Sequence, residues 1–213
     1  MILPSPVEIL IATHNRGKIR EVRDALHSLP VKLRYLNEFP HLSLVNEVGR
    51  TYEENAVLKA LGYAKQTGLC ALADDSGLEV DALAGGPGVH SARFGGENLS
   101  DHDRIQKLLA ELSEEPRTRR AARFVCCMAL AGWQLTPGAG EPRLLTLIEA
   151  KCEGSIALQA RGANGFGFDP LFVPEGHLAT FAELPKEVKA KISHRARALA
   201  VIREFISGWI RQT

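Results

Sequence analysis

No sign of charge dominates this 213-residue sequence: 26 Lys and Arg stand against 25 Asp and Glu, for a formal net charge of +1. That balance excludes a chain that coats nucleic acid or an acidic membrane by bulk attraction. A small anion could still be met by a local cluster of cations. Cysteine is sparse as well. Cys70, Cys126, Cys127 and Cys152 form no CxxC pair, which argues against a zinc site or a disulfide framework. The neighbours Cys126 and Cys127 fall in an expected strand over 122–131, where successive side chains point to opposite faces. Buried, reduced thiols are the simple expectation, and they suit the cytosol. The opening residues hold no charged stretch followed by an apolar one, and no apolar run approaches the length of a membrane-spanning helix. A cytoplasmic protein is therefore expected. Repeats, low-complexity segments and linkers are also missing. With 45% hydrophobic and 24% charged residues, the composition is that of one globular domain over 1–213, or of two closely packed lobes.

What is present is an alternation of helical and strand patterns. Val7–Thr13 is a short apolar run, expected as a buried strand. It leads through THNRGK into a helix with Ile19, Val22, Leu26 and Leu29 at helical spacing. Residues 32–36 read as a second strand. Thr51–Gly68 is the clearest helix, with Thr51 and Glu54 spaced as a capping box and Gly68 as the stop. Leu69–Ala73 reads as a strand ending at Asp74-Asp75-Ser76-Gly77, and Leu78–Leu83 as another. Ser100 and Asp103 are spaced to cap a helix to about Leu112. Arg123–Ala131 and Leu144–Cys152 suggest a hairpin across TPGAGEP. Leu199, Ile202, Phe205, Ile206 and Trp209 share one face of a closing helix. This order predicts an α/β fold with a mixed sheet rather than a purely doubly wound one.

Three groups of residues carry chemistry. At Thr13-His14-Asn15-Arg16-Gly17-Lys18, a helix N-terminus offers N–H groups and the positive end of a dipole, which suits phosphate. A lysine in that first turn is unfavourable unless an anion lies beside it. The spacing is not that of a GxxxxGK[ST] loop, and an ordinary Asn cap with solvated cations explains the stretch equally well. Next come the acids Glu47, Glu54, Asp74 and Asp75. Hard oxygens of this kind suit Mg²⁺, which takes one or two carboxylates along with waters and substrate phosphates. A solvated turn is the plain alternative. Last, Asn164–Pro170 sets Phe166 and Phe168 between glycines, ahead of Lys189, Ser193, His194 and Arg195. Aromatic faces can stack on a base, at about 1–3 kcal/mol per base, though core packing accounts for lone phenylalanines.

Taken together, the stretches ATHNRGKIREV, EVGRTYEENAVLKA, ALADDSGLEVDALAGGPGVHSARFGG, GFGFDPLFVP and KAKISHRARAL resemble the inosine triphosphate pyrophosphatases. They stand in that family's order and span nearly the whole chain. The resemblance implies an elongated mixed sheet flanked by helices, with two lobes around a central nucleotide cleft. It implies hydrolysis of ITP, dITP and XTP to monophosphate and pyrophosphate, by attack of metal-activated water on the α-phosphorus. Thr13, His14, Asn15, Arg16, Gly17 and Lys18 match the triphosphate-binding turn, and Lys59 matches a lysine near the phosphates. Glu47 and Asp75 match metal-binding acids for Mg²⁺, and Asp75 also matches the general base. Ser76 matches a substrate contact. Phe166, Gly167, Phe168 and Asp169 match the base-holding loop, and Lys189, His194 and Arg195 match the purine's 6-keto side. The sequence departs from the commonest pattern at His14, Phe168 and Asn164. A homodimer is implied too, with no stable nucleic-acid partner and no membrane.

Three other readings stand beside this one. One is a pyrophosphatase for modified pyrimidine or ordinary triphosphates. Another is an RNA-binding module using Arg117-Thr118-Arg119-Arg120, Arg195 and Arg197. The third is a catalytically silent binder on the same fold, since fold alone does not fix function.

Overall fold

A computed structural model describes residues 7–96, 98–133 and 140–211 of the chain. It is an α/β protein with one six-stranded mixed sheet in the order β2-β1-β3-β4-β5-β6. The strands are β1 (Val7–Ile11), β2 (Val31–Tyr35), β3 (Cys70–Val80), β4 (Ala121–Gly132), β5 (Arg143–Ile156) and β6 (Phe172–Pro174). The main helices are α1 (Arg16–Leu26), α2 (Tyr52–Thr67), α3 (Asp101–Glu111), α4 (Lys186–Ile192) and α5 (His194–Ile210). β1 runs parallel to β2 and β3, with Ile9 beside Cys70 and Ile11 beside Leu72, while β5 and β6 are antiparallel. The expected hairpin strands β4 and β5 are neighbours in the sheet, and residues 134–139 of their connection lie outside the described residues.

The chain divides into two compact units. The first holds residues up to Asp75, Cys127–Glu149 and Ala198 onward; the second holds Ser76–Cys126 and Ala150–Arg197. In the first unit, Ile9, Leu10 and Ile11 of β1 are fully buried, as are Val22 and Leu26 of α1. Such a continuous apolar run is what a parallel strand covered on both faces requires. Ala56, Ala60 and Ala64 of α2 are likewise buried, and their i, i+4 spacing makes one smooth stripe along that helix. The second unit has its own apolar cluster, in which Leu78, Leu108, Phe124, Phe168, Leu171, Phe172 and Phe181 take part. Phe124 lies 4.7 Å from Phe172, and Phe172 lies 5.2 Å from Phe181, ring centre to ring centre.

Caps set the helix ends much as the residue types suggest. Thr51 accepts from the Glu54 N–H at 3.1 Å, and Gly68 closes α2 at φ +69°. Glu54 does not complete the box with Thr51; its carboxylate instead accepts from the Arg50 N–H at 2.6 Å. Ser100 and Asp103 do form a full capping box on α3.

One element differs from expectation in a way that matters for the site. The two short strands expected on either side of Asp74-Asp75-Ser76-Gly77 are a single strand, β3, so both aspartates lie in its middle and not at an end. Acid, serine and glycine together favour turns locally. Here β3 lies between β1 and β4, and two lysines neutralise its acids, so tertiary pairing overrides the local preference. α1 also stops at Leu26, short of the expected Leu29, with Leu29 held in a turn by its N–H to the Leu26 carbonyl.

Candidate active site

In the first unit the chemistry collects on the middle of β3. Asp74 and Asp75 are both buried, at 4% and 6% exposure. Neighbouring residues of a strand project to opposite faces, and accordingly each acid has its own lysine. Lys18, from the first turn of α1, ion-pairs with the Asp74 carboxylate and reaches the Asp74 carbonyl at 3.4 Å. Lys59, from α2, donates to Asp75 Oδ1 at 3.2 Å and to the Asp74 carbonyl at 2.8 Å. Its ammonium also lies 3.2 Å from the Glu47 carboxylate. Lys59 thus joins three of the sequence-predicted residues at one point, and Glu47 and Asp75 lie within two hydrogen-bond lengths of each other.

The turn before α1 is built as an Asn cap. Asn15 Oδ1 accepts from the N–H groups of Gly17 at 2.8 Å and Lys18 at 3.1 Å, while Thr13 Oγ1 accepts from the Asn15 N–H at 3.2 Å. The His14 and Arg16 side chains are exposed. A cation at a positive helix end needs an anion nearby, and in this chain Asp74 supplies it to Lys18.

Electrostatics in this cluster pull in opposing directions. Burial pushes the Asp75 carboxyl above the ordinary aspartate value. Lys59 and Lys18 pull it down without cancelling that effect, and the neighbouring Glu47 and Asp74 add to the rise. Burial works against the charge on Lys59, but Asp75, Glu47 and Asp74 outweigh it and hold the ammonium more firmly charged. A carboxylate whose proton affinity is raised in this way suits the removal of a proton from water.

Asn55 belongs to this cluster, although its residue type had not marked it. Its side chain is 1% exposed. Its amide donates to Asp75 Oδ2 at 3.2 Å, and its oxygen accepts from the Gly49 N–H at 2.8 Å. It therefore orients Asp75 and fixes the segment that carries Glu47. The signal was available in the spacing: Asn55 and Lys59 stand at i, i+4 and so share one face of α2.

The second unit collects a different set. Asp169 is 2% exposed; its Oδ2 accepts from Lys189 Nζ at 2.5 Å and from the Phe166 N–H at 2.9 Å. The Lys189 ammonium lies 4.8 Å from the Phe166 ring centre and the Arg195 guanidinium 5.6 Å from it, both within cation–π range. Arg195 donates to Ser76 Oγ at 2.7 Å. Gly165 has φ +81°, and a Cβ there would collide with the Asp169 carboxylate, so only glycine lets the loop close on its own acid. Phe168 is buried in the apolar cluster, edge-on to Phe94 at 6.3 Å, whereas Phe166 is half-buried. His194 is buried and stacks on Phe124 at 4.6 Å, while Ser193 caps α5 by accepting from the Ala196 N–H at 3.1 Å.

The basic stretch weighed for RNA is largely committed elsewhere. Arg120 is 3% exposed and donates to the carbonyls of Glu115, Ala157 and Leu112. Arg119 pairs with Glu115, and Arg197 donates to the Lys151 carbonyl.

The chain is similar to known proteins over nearly its whole length. The sequence profile of the Ham1 family matches residues 9–205. The chain is 44% identical to a dITP/XTP pyrophosphatase of Bacillus cereus over 97% of its own length and 98% of that protein. It is 47% identical to a dITP/XTP pyrophosphatase of Geobacter sulfurreducens over 94% of its length and 96% of that protein. A solved HAM1 protein of Coxiella burnetii superposes with a TM-score of 0.83 at 40% identity, covering 95% of this chain and 99% of that one.

Proposed function

We propose, because the chain belongs to the Ham1 family, that it is a nucleoside triphosphate pyrophosphatase acting on ITP, dITP and XTP and releasing the monophosphate and pyrophosphate. The observation that carries this reading is the pair of buried aspartates, each held by its own lysine, in the middle of β3. Such a cluster joins a base to cations suited to phosphate, which is what cleavage of a phosphoric anhydride requires.

In the reaction, the Asp75 carboxylate takes a proton from a water molecule as that water attacks the α-phosphorus. The bond from the α-phosphorus to the bridging oxygen breaks, and the electron pair leaves with pyrophosphate. Lys18 and Lys59 stabilise the charge that builds up on the leaving group. Asn55 keeps Asp75 in its orientation. The N-terminal turn, Thr13 to Lys18, takes the triphosphate; as phosphate arrives, it competes with Asp74 for Lys18.

The donor set suits Mg²⁺. Glu47 and Asp75 give the two hard carboxylates that this ion commonly takes from protein, and both already reach one ammonium. Among the described residues no group of three or more His, Cys, Asp and Glu could hold a metal, so the remaining ligands would be waters and phosphate. When bound there, the ion neutralises phosphate oxygens and orients the triphosphate.

Base recognition falls to the second unit. The half-buried Phe166 offers a face to a purine, Lys189 and Arg195 lie by its ring, and His194 completes the set assigned to the 6-keto side. Donors directed at a 6-carbonyl leave an amino group at that position unmatched, and such mismatches discriminate strongly. This favours the inosine and xanthosine nucleotides over ATP. The remaining features are the single domain of two lobes, a homodimer, and a cytoplasmic location. Sedimentation of the purified chain tests the dimer. No helix among the described residues is long and apolar enough to cross a membrane.

The test is pyrophosphate release from ITP, XTP, dITP, GTP, ATP and dUTP with Mg²⁺, beside Asp75→Asn. Fast release from ITP and XTP that the variant loses is the expected result. Release from none of the six would leave a silent binder, and equal turnover of ATP and ITP would overturn the base-recognition argument.

A further inference from the structure

Within the loop expected to hold the base, Asp169 Oδ2 accepts from the Phe166 N–H at 2.9 Å, but the glycines around that bond add little stiffness. Gly162, Gly165 and Gly167 all have left-handed φ, at 81°, 81° and 59°, and glycine gives up more conformational freedom on ordering than any other residue. Further ties come from other parts of the second unit. The Asn164 N–H donates to the Ala182 carbonyl at 3.1 Å. At the tip, the Gly167 N–H donates to Oδ2 of Asp101, the first residue of α3, at 2.7 Å. Arg104, one turn along the same helix, reaches Asp101 Oδ1 at 3.4 Å and braces the carboxylate from its other side. Gly167 is flanked by Phe166, which lies beside Lys189 and Arg195, and by Phe168, which is anchored in the core.

We infer that Asp101 is a positioning residue for base recognition: through the Gly167 N–H it fixes the angle at which Phe166 meets the purine, so that α3 clasps the recognition loop. The role rests on the base-binding reading of that loop. The physical basis is short and direct. A carboxylate acceptor makes a stronger bond to a backbone N–H than a neutral one does. Pinning the residue next to Phe166 removes loop motion that ligand binding would otherwise have to arrest. Loss of the clasp therefore weakens substrate binding and leaves proton transfer at Asp75 intact.

Asp101 is also an acid in the first turn of α3, so removing it weakens that helix for a reason unrelated to the loop. Asp103 separates the two effects. It caps the same helix end by bonding to the Ser100 N–H and hydroxyl at 3.3 and 2.6 Å. The experiment measures KM and kcat for ITP, thermal stability and amide exchange at Gly167 in wild type, Asp101→Ala, Asp101→Asn and Asp103→Ala. Asp101→Ala should raise KM about threefold to tenfold and speed Gly167 exchange by a similar factor, the range expected for one lost hydrogen bond, with kcat held. Asp101→Asn keeps an acceptor oxygen and should stay within about twofold of wild type. Asp103→Ala should lose stability without moving KM. If Gly167 exchange is unchanged in Asp101→Ala, there is no clasp. If exchange quickens while KM stays fixed, or if Asp103→Ala raises KM equally, the positioning role is wrong. A wild-type protein that releases no pyrophosphate from any nucleotide overturns the proposed function and this role with it. A wild type active on ITP with KM unmoved in Asp101→Ala overturns this role alone.

Discussion

The two units use the same pairing of lysine with aspartate for different ends. In the first, Lys59 is shared between Asp75, Glu47 and the Asp74 carbonyl, and Lys18 also turns to Asp74. Acids crowd one another there, and the proton affinity of Asp75 rises. In the second, Asp169 accepts from Lys189 and from the Phe166 N–H, and the lysine lies against two aromatic rings, Phe166 and Phe181. The first arrangement leaves a carboxylate under electrostatic pressure, which is a condition for chemistry. The second ties an acid, a lysine and a loop N–H together and fixes a shape, which is a condition for recognition.

If this contrast holds, Asp75→Asn should have the largest effect. Loss of a general base lowers kcat by about 10²–10⁴-fold, read as pyrophosphate release from ITP; a residual rate within tenfold of wild type would remove Asp75 from the base role. The same variant should not unfold the protein. Because the folded carboxyl titrates above its unfolded value, its ionisation costs stability as pH rises from the ordinary aspartate range. Denaturant midpoints for Asp75→Asn relative to wild type should accordingly be more favourable at pH 7 than at pH 4. A variant that is equally destabilised at both values would contradict the assignment of strain to that charge.

Asp169→Ala should behave in the opposite manner. It removes the buried carboxylate that pairs with Lys189 and accepts from the Phe166 N–H, and breaking a buried pair costs about 3–5 kcal/mol. Urea unfolding should show the loss, with KM for ITP raised and the preference for ITP over ATP reduced. Should Asp169→Ala keep wild-type stability while losing kcat, the division of labour between the units would be wrong.

The smallest effect concerns the thiols. All four cysteines are buried and none is in a disulfide. Burial and the nearby Glu149 push the Cys127 thiol up to about 12, and burial pushes Cys152 up to about 11. At pH 8 a disulfide reagent should therefore react only as fast as the protein opens, and denaturant should release all four at once. The folded thiol binds its proton more tightly than the unfolded one, so this contribution to stability is lost as pH rises from about 9 toward 12. Cys127→Ala should flatten that alkaline decline. Rapid labelling mapped to Cys127 or Cys152 in the native protein would contradict this expectation.

Much of the first unit was legible in the residues. Thr51 and Gly68 bound α2 because a hydroxyl cap and a left-handed glycine act within a few residues of themselves. The buried stripe of α5 follows its apolar spacing, with Leu199, Ile202 and Ile206 enclosed. Lys18 in the first turn of α1 signalled a nearby anion, but its sequence position could not show that Asp74, 56 residues away, was that anion.

Local order alone therefore determined the helix ends, the apolar faces, the absence of a disulfide framework and the family resemblance. Each depends on neighbours within a turn or two, or on residues matched in sequence. Tertiary structure decided that Asp-Asp-Ser-Gly lies within a central strand instead of a turn, because pairing with β1 and β4 and two lysines from distant helices outweigh a local preference. It also decided which aspartate meets which lysine, that Asn55 orients Asp75, and that Asp101 reaches Gly167. Those contacts join residues far apart in the chain, and only the closing of the fold brings charges and donors of that separation within hydrogen-bonding distance.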